Sequence, residues 1–171
     1  MCVRFKSFAK RVLAGNRTVL VVTLWTAIIA FTIIEVFLLK YETTVRLKRY
    51  DIIYAKYDAP GLHVLDALVL VVASLMISLL VYNPIDLVYS YLASIFLSFC
   101  IGVLAVFLYI WFVQGYGAYF SQNPFDWEIP LHFAILNVFR MMFPSVVATC
   151  LIGVAIGVLV RGVLPHKFQS I

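Results

Sequence analysis

The sequence predicts an all-α fold: a polytopic membrane protein built as a four-transmembrane-helix bundle, with an amphipathic extramembrane helix after the first span. Three observations carry this. Hydrophobic residues fill 64% of 171 positions and charged residues only 12%, against about 25% charged in an average soluble domain. The apolar residues fall in four blocks, Thr18 to Leu39, His63 to Tyr82, Val88 to Val113 and Leu131 to Val160, each at least as long as the ~18 residues that mark a membrane span. The net charge of +5 sits beside the ends of these blocks, where anionic headgroups are the expected partners. No basic domain is left over once the spans are set aside, which excludes nucleic acid as a partner.

Residues 1–17 form a basic N-terminal segment with Arg4, Lys6, Lys10, Arg11 and Arg17 and no acid. The apolar run behind it is too long for a signal-peptide core and has no small-x-small cleavage site before Lys40, so a first transmembrane helix is expected over 18–39. Thr23, Ala27, Phe31 and Glu35 share one face of that helix. Residues 40–62 turn polar. Tyr50, Ile53, Tyr54 and Tyr57 follow helical spacing while Arg46, Lys48, Arg49, Asp51 and Lys56 take other positions, which predicts the amphipathic helix. Pro60-Gly61 ends it.

The second transmembrane helix is predicted over 63–82, followed by a tight turn over 83–87 at Asn83-Pro84. Asp86 is placed to cap the third helix, 88–113, and so short a connection makes the second and third spans antiparallel neighbours. Tyr109, Trp111 and Phe112 form an aromatic belt at its far end. Residues 114–130, with Asp126 and Glu128 as their only charges, read as an aromatic interfacial loop. The fourth helix, 131–160, contains Pro144, which cannot donate to the Arg140 carbonyl and so predicts a kink. Residues 161–171 form the tail.

Two files of small residues recur every fourth position. Ser90, Ser94, Ser98 and Gly102 lie on the third span, and Ser145, Thr149, Gly153 and Gly157 on the fourth. Such seams let backbones approach closely in lipid, where no hydrophobic force drives helices together. The expectation is that the two seams face each other; the alternative is that one of them faces another protein.

Alternating crossings place Glu35, His63, Asp66, His132, Asn137 and Arg140 in one leaflet. Glu35, Asp66, Asn137 and Arg140 then form a candidate intramembrane polar cluster. Two depths are open for Arg140. With Arg161 as an anchor it reaches the headgroups by snorkelling; with Pro130 at the boundary it lies about 15 Å in and needs a carboxylate, Glu35 first and Asp66 second. The cluster reads either as a site for an ion or polar substrate, or as a charge pair that fixes helix register or contacts a partner subunit.

No catalytic residue, cofactor site or metal site is predicted. Cys2, Cys100 and Cys150 have no metal-ligand spacing. His63 and His132 share a depth at which a haem iron would find two ligands, with Asp66 as an orienting carboxylate, but shared depth alone carries that reading. No nucleophile or phosphate loop stands out.

These features point to a non-catalytic integral membrane subunit that packs into a larger membrane protein complex, in contact with membrane lipids, including anionic headgroups, and with other integral membrane subunits. The alternatives are a small oligomeric channel or carrier using Glu35, Asp66 and Arg140, and a membrane enzyme acting on lipid headgroups through His63, Asp66 or His132. Arg4, Lys6, Lys10, Arg11, Arg17, Arg161 and Lys167 fall on the terminal side, against Lys40, Arg46, Lys48, Arg49 and Lys56 opposite. That balance places both termini in the cytoplasm. Cysteines substituted at Lys6 and Lys167 are therefore expected to react with an impermeant maleimide from one and the same compartment. Labelling from opposite compartments would remove the even number of crossings.

Overall fold

The computed structural model describes residues 2–41, 61–81, 83–113 and 127–163. The expected amphipathic helix around Tyr50, Ile53, Tyr54 and Tyr57, most of the aromatic loop and the tail beyond Val163 lie outside the described residues. Among the described residues every regular element is helical. Helix α1 is Cys2–Glu35, extended by a π-type turn at Val36–Tyr41. Helix α2 is Val64–Leu80, and α3 is Pro84–Leu108, extended by a π-type turn at Tyr109–Val113. Helix α4, Glu128–Met141, leads through a π-type turn at Met142–Val146 into α5, Val147–Val163. The segments Thr18–Leu38, Pro84–Val113 and Pro130–Val163 are long and apolar enough to cross a bilayer. Helix α2 is shorter at 17 residues.

The helix ends follow from the residues that form them. Asp66 turns back on its own helix and accepts the His63 backbone N–H at 3.3 Å, satisfying a donor that a helix start leaves open. The third helix begins earlier than its apolar run. Asn83, rather than Asp86, caps it, accepting the Ile85 N–H at 3.2 Å, with Pro84 as the first helical residue. Proline suits that position because its missing N–H has no partner there in any case. Asp86 instead adds negative charge to the first turn.

Pro144 breaks the Pro130–Val163 segment as expected. It forces the preceding residue out of the helical region, and Phe143 sits at φ −111° and ψ 114°. One long apolar segment thereby becomes two helices with separate packing partners: α4 lies on α3, and α5 lies on α2.

Residue pairings across the interfaces give the chain directions. Ser94 Oγ donates to the Val22 carbonyl at 3.3 Å and Ser98 Oγ to the Thr26 carbonyl at 3.1 Å, both at a separation of 72 positions. A constant separation means that α1 and α3 run parallel. The same holds for α2 and α5, where Gly153 meets Val71 and Ser74, Gly157 meets Leu75 and Ser78, and Arg161 Nη1 donates to the Val81 carbonyl at 2.6 Å. Between α3 and the broken fourth segment the numbering runs oppositely. Tyr91 OH donates to the Val147 carbonyl at 3.1 Å, while Gly102, further along α3, faces Val138, further back on α4. Successive apolar segments therefore reverse direction, with α4 and α5 together forming the last of them.

Two sequence expectations about neighbours are corrected by this packing. Helices α2 and α3 are antiparallel, but the extensive contacts are α2 with α5 and α1 with α3. The two small-residue seams do not face each other either. Ser94, Ser98 and Gly102 lie against α1, whose Trp25, Ile29, Ile33 and Val36 are fully buried, so bulk on one helix fills the space left by small side chains on the other. Gly153 and Gly157 lie against α2, where Ser74 and Ser78 repeat the same four-residue spacing.

A side chain at Gly153 would meet the Val71 backbone carbonyl and would lie 2.8 Å from Ser74 Cβ. Gly153→Leu is expected to destabilise the protein by about 1–3 kcal/mol, read as a lower melting temperature in detergent. Gly162→Ala, with nothing within 4 Å of the added carbon, is expected to melt like the wild type.

Candidate functional site

Polar residues fall at two levels of the described bundle, and the helix register sets their heights. The first is a knot near its middle, to which α1, α2, α3 and α5 each contribute. Trp25, wholly buried, donates its Nε1–H to Ser74 Oγ at 3.2 Å. The Cys150 thiol lies against both. The ring of Tyr91 sits 5.5 Å from that of Trp25, tilted by 55°, and its hydroxyl reaches the Val147 carbonyl. An indole or phenol in an apolar interior needs an acceptor for its polar hydrogen, and here each acceptor belongs to a different helix. The sequence reading missed Trp25, Ser74 and Tyr91 as a group. The available signal was a Trp and a Tyr within apolar blocks, each carrying a donor that its own helix backbone does not satisfy.

The second layer holds the residues proposed from sequence. Trp25 and Ser74 fix α1 against α2, and Gly102 fixes α1, α3 and α4 together, since a carbon built on it would lie 3.0 Å from Ile33 and 3.2 Å from Val138. Counting 1.5 Å per residue from these pairs puts Arg140 about 9 Å, Asp66 about 12 Å, Asn137 about 13 Å and Glu35 about 15 Å from the level of Trp25 along the bundle axis. The four therefore occupy one slab little more than a helical turn thick.

Their environments differ. Asp66 is 7% exposed and is engaged in capping α2. Asn137 is 5% exposed, and its Nδ2 donates to the Phe133 carbonyl at 2.8 Å, so it is satisfied within its own helix. Glu35 is half-buried, and Arg140 is exposed. Both carry contacts of their own. Two of the four thus have local structural work, while the pair with opposite charge sits closer to the surface.

The surroundings of Arg140 are the most unusual feature of this slab. Around α4 the inner face is Ala134, Asn137, Val138 and Met141, all buried. The outer face is Leu136, Phe139, Arg140 and Phe143, with the three apolar members 57%, 50% and 43% exposed. Arg140 points away from the bundle among apolar side chains, ten residues into the segment that begins at Pro130. It also occupies the last turn of α4, where the carbonyl end of a helix favours a cation by about 0.3–1 kcal/mol. Placing an Arg at the centre of a transmembrane helix costs about 2.5–3.5 kcal/mol on insertion scales.

The remaining candidates have more ordinary settings. His132 Nδ1 lies 2.7 Å from the Glu128 carbonyl, and because a carbonyl only accepts, that nitrogen carries the proton. His63 starts α2 and is exposed. Among the described residues no group of three or more His, Cys, Asp and Glu side chains gathers in a metal-holding arrangement. Thr149 and Ser145 on the fourth-span seam are half-buried, with Thr149 Oγ1 donating to the Ser145 carbonyl at 2.6 Å. Ser90 on the third-span seam is 1% exposed. Its hydroxyl and that of Thr26 are buried without a hydrogen-bond partner. On α1, Thr23, Ala27 and Phe31 face outward, and an open apolar groove of about 550 Å³ runs along Val19, Leu20, Thr23, Leu24 and Ala27. One helix alone lines it.

No protein-family model, curated protein or solved structure matches this chain.

Proposed function

We propose that the chain crosses the membrane four times, with both termini on the cytoplasmic side, and serves as a non-catalytic integral subunit of a larger membrane protein complex. The fourth crossing is α2, whose 17 residues extend about 25 Å, short of the ~30 Å hydrocarbon core by an amount that flanking residues accommodate. Arg161, bonded to the carbonyl of Val81 just past the end of that short helix, stands where such accommodation is needed.

The observation that carries the subunit reading is the outward face of α4. Exposed apolar side chains alone are what lipid requires. A guanidinium among them, ten residues in from Pro130, is a group that lipid tails do not solvate. Charged residues within spans ordinarily face a protein or water-filled interior, and a neighbouring subunit supplies such an interior. Anionic headgroups meet the basic residues at the ends of the spans.

A second reading has its own support: Glu35, Asp66, Asn137 and Arg140 come from three helices and lie in one slab. A channel or carrier, assembled from several copies, would use that slab as its polar site.

Reconstitution separates the two. The purified chain in proteoliposomes is expected to pass no ions or polar solutes, and after gentle detergent extraction from its own membrane it is expected to remain attached to other polypeptides. Flux through the purified chain that disappears in Arg140→Leu would replace the subunit reading with the carrier.

A further inference from the structure

We infer that the outer face of α4 is the docking site for a transmembrane helix of another polypeptide that carries an Asp or Glu at the level of Arg140. This rests on the subunit reading above and specifies where the partner sits and what chemistry it brings.

Leu136, Phe139 and Arg140 follow the i, i+3, i+4 spacing of one face of α4, Phe143 lies just past the helix end against Phe139, and all four are exposed. The opposite face of the same helix is buried on the bundle through Ala134, Val138 and Met141. The exposed stripe is thus a second packing face, complete in itself. Its two aromatic rings, Phe139 and Phe143, stack with centroids 5.0 Å apart and an interplanar angle of 27°. They make a flat apolar wall on the exposed side that also carries Arg140. Aromatic residues and Arg are the side chains enriched at the centres of protein interfaces, where an apolar rim keeps water from a charged contact.

Charge complementarity names the occupant. Arg140 keeps contacts within its own chain and still presents its side chain outward, so the inference rests on its exposure in apolar surroundings at that depth. A guanidinium offers a planar fork of donors that a carboxylate matches with two parallel hydrogen bonds. Lipid phosphate, reached by snorkelling toward the membrane surface, is the competing anion, and a crosslink to lipid alone would identify it. Arg140 lies about 7 Å along the bundle axis below His63, the residue that begins α2, and about 15 Å from Pro130 along its own helix. A carboxylate carried on a second helix meets it at its own level.

The test uses the full chain in its native membrane, with a photo-crosslinking amino acid in place of Phe139 or, separately, Leu136. The expected product is a crosslink to a transmembrane segment of another polypeptide that bears an Asp or Glu within one helical turn of the linked residue. Arg140→Glu is then expected to lower co-extraction of that polypeptide by at least about tenfold, and changing the partner's acid to Arg is expected to restore it. Crosslinks to lipid alone, to a second copy of this chain, or to a segment without an acid would overturn the inference. So would co-extraction unchanged by Arg140→Glu. Where Arg140→Glu fails to accumulate, Arg140→Gln reads the same contact, with loss or retention of the partner as its two outcomes. If other polypeptides co-extract but none crosslinks to this face, the subunit reading stands and the docking site falls. If nothing co-extracts, the subunit reading itself falls.

Discussion

Close backbone approach between parallel helices is the constraint on which the rest of this structure depends. In lipid the apolar side chains of a helix gain little from leaving one oily environment for another, so association rests on packing contact and on hydrogen bonds between helices. Both need small residues at the contact. Helix α3 supplies them to α1 through Ser94, Ser98 and Gly102, and α5 supplies them to α2 through Gly153 and Gly157. The partner helices answer differently. Helix α1 brings large residues, Trp25, Ile29 and Ile33, that fill the space over a narrow seam, whereas α2 brings the small Ser74 and Ser78 and lets the two backbones come closer.

The hydroxyls set register more than they set stability. Bonds of this kind average roughly 0.6 kcal/mol each in membrane proteins, because the separated helices also find partners for them. Several here are local: Thr23 to the Val19 carbonyl, Thr32 to Ile28, Ser78 to Leu75. Ser94, Ser98, Trp25 and Tyr91 reach across to another helix. A slip of α1 along α3 by one turn would move the Val22 and Thr26 carbonyls away from Ser94 and Ser98, and it would drive Trp25 away from Ser74. Because the heights of Glu35, Asp66, Asn137 and Arg140 are measured from the same contacts, their shared slab is a consequence of this register.

How much of this was legible in the sequence depended on whether a feature is local. The long apolar segments, the break ahead of Pro144 and the four-residue repeats are properties of short stretches, and each could be read directly. The partner of each seam is not local. Two seams on consecutive spans invite the simplest pairing, with each other, yet the fold joins each to a helix further back in the chain. The repeat of Ser74 and Ser78 was the available sign that α2 had a matching surface. Asp66 went the other way. Its charge drew attention as a counter-ion for Arg140, while its place three residues after His63, at the start of a helix, marked a cap. The cluster of Trp25, Ser74, Tyr91 and Cys150 was illegible because its members are far apart in sequence and only the assembled register brings them together.

The break at Phe143 explains how one apolar segment takes part in both halves of the bundle. Val138 must sit over Gly102 on α3, and Gly153 must sit over Val71 on α2, yet α2 and α3 have little contact with each other beyond the turn that joins them. Pro144 gives the two halves separate axes by removing one backbone donor and excluding the helical conformation at the residue before it. Arg140 is placed one residue before the end of α4, at the point where the segment leaves α3 for α2. The outer face of α4 faces away from the packing on the opposite side, so a helix docked there would meet a surface already held in place by Ala134, Val138 and Met141. The interior of the bundle therefore fixes the position of that outward face.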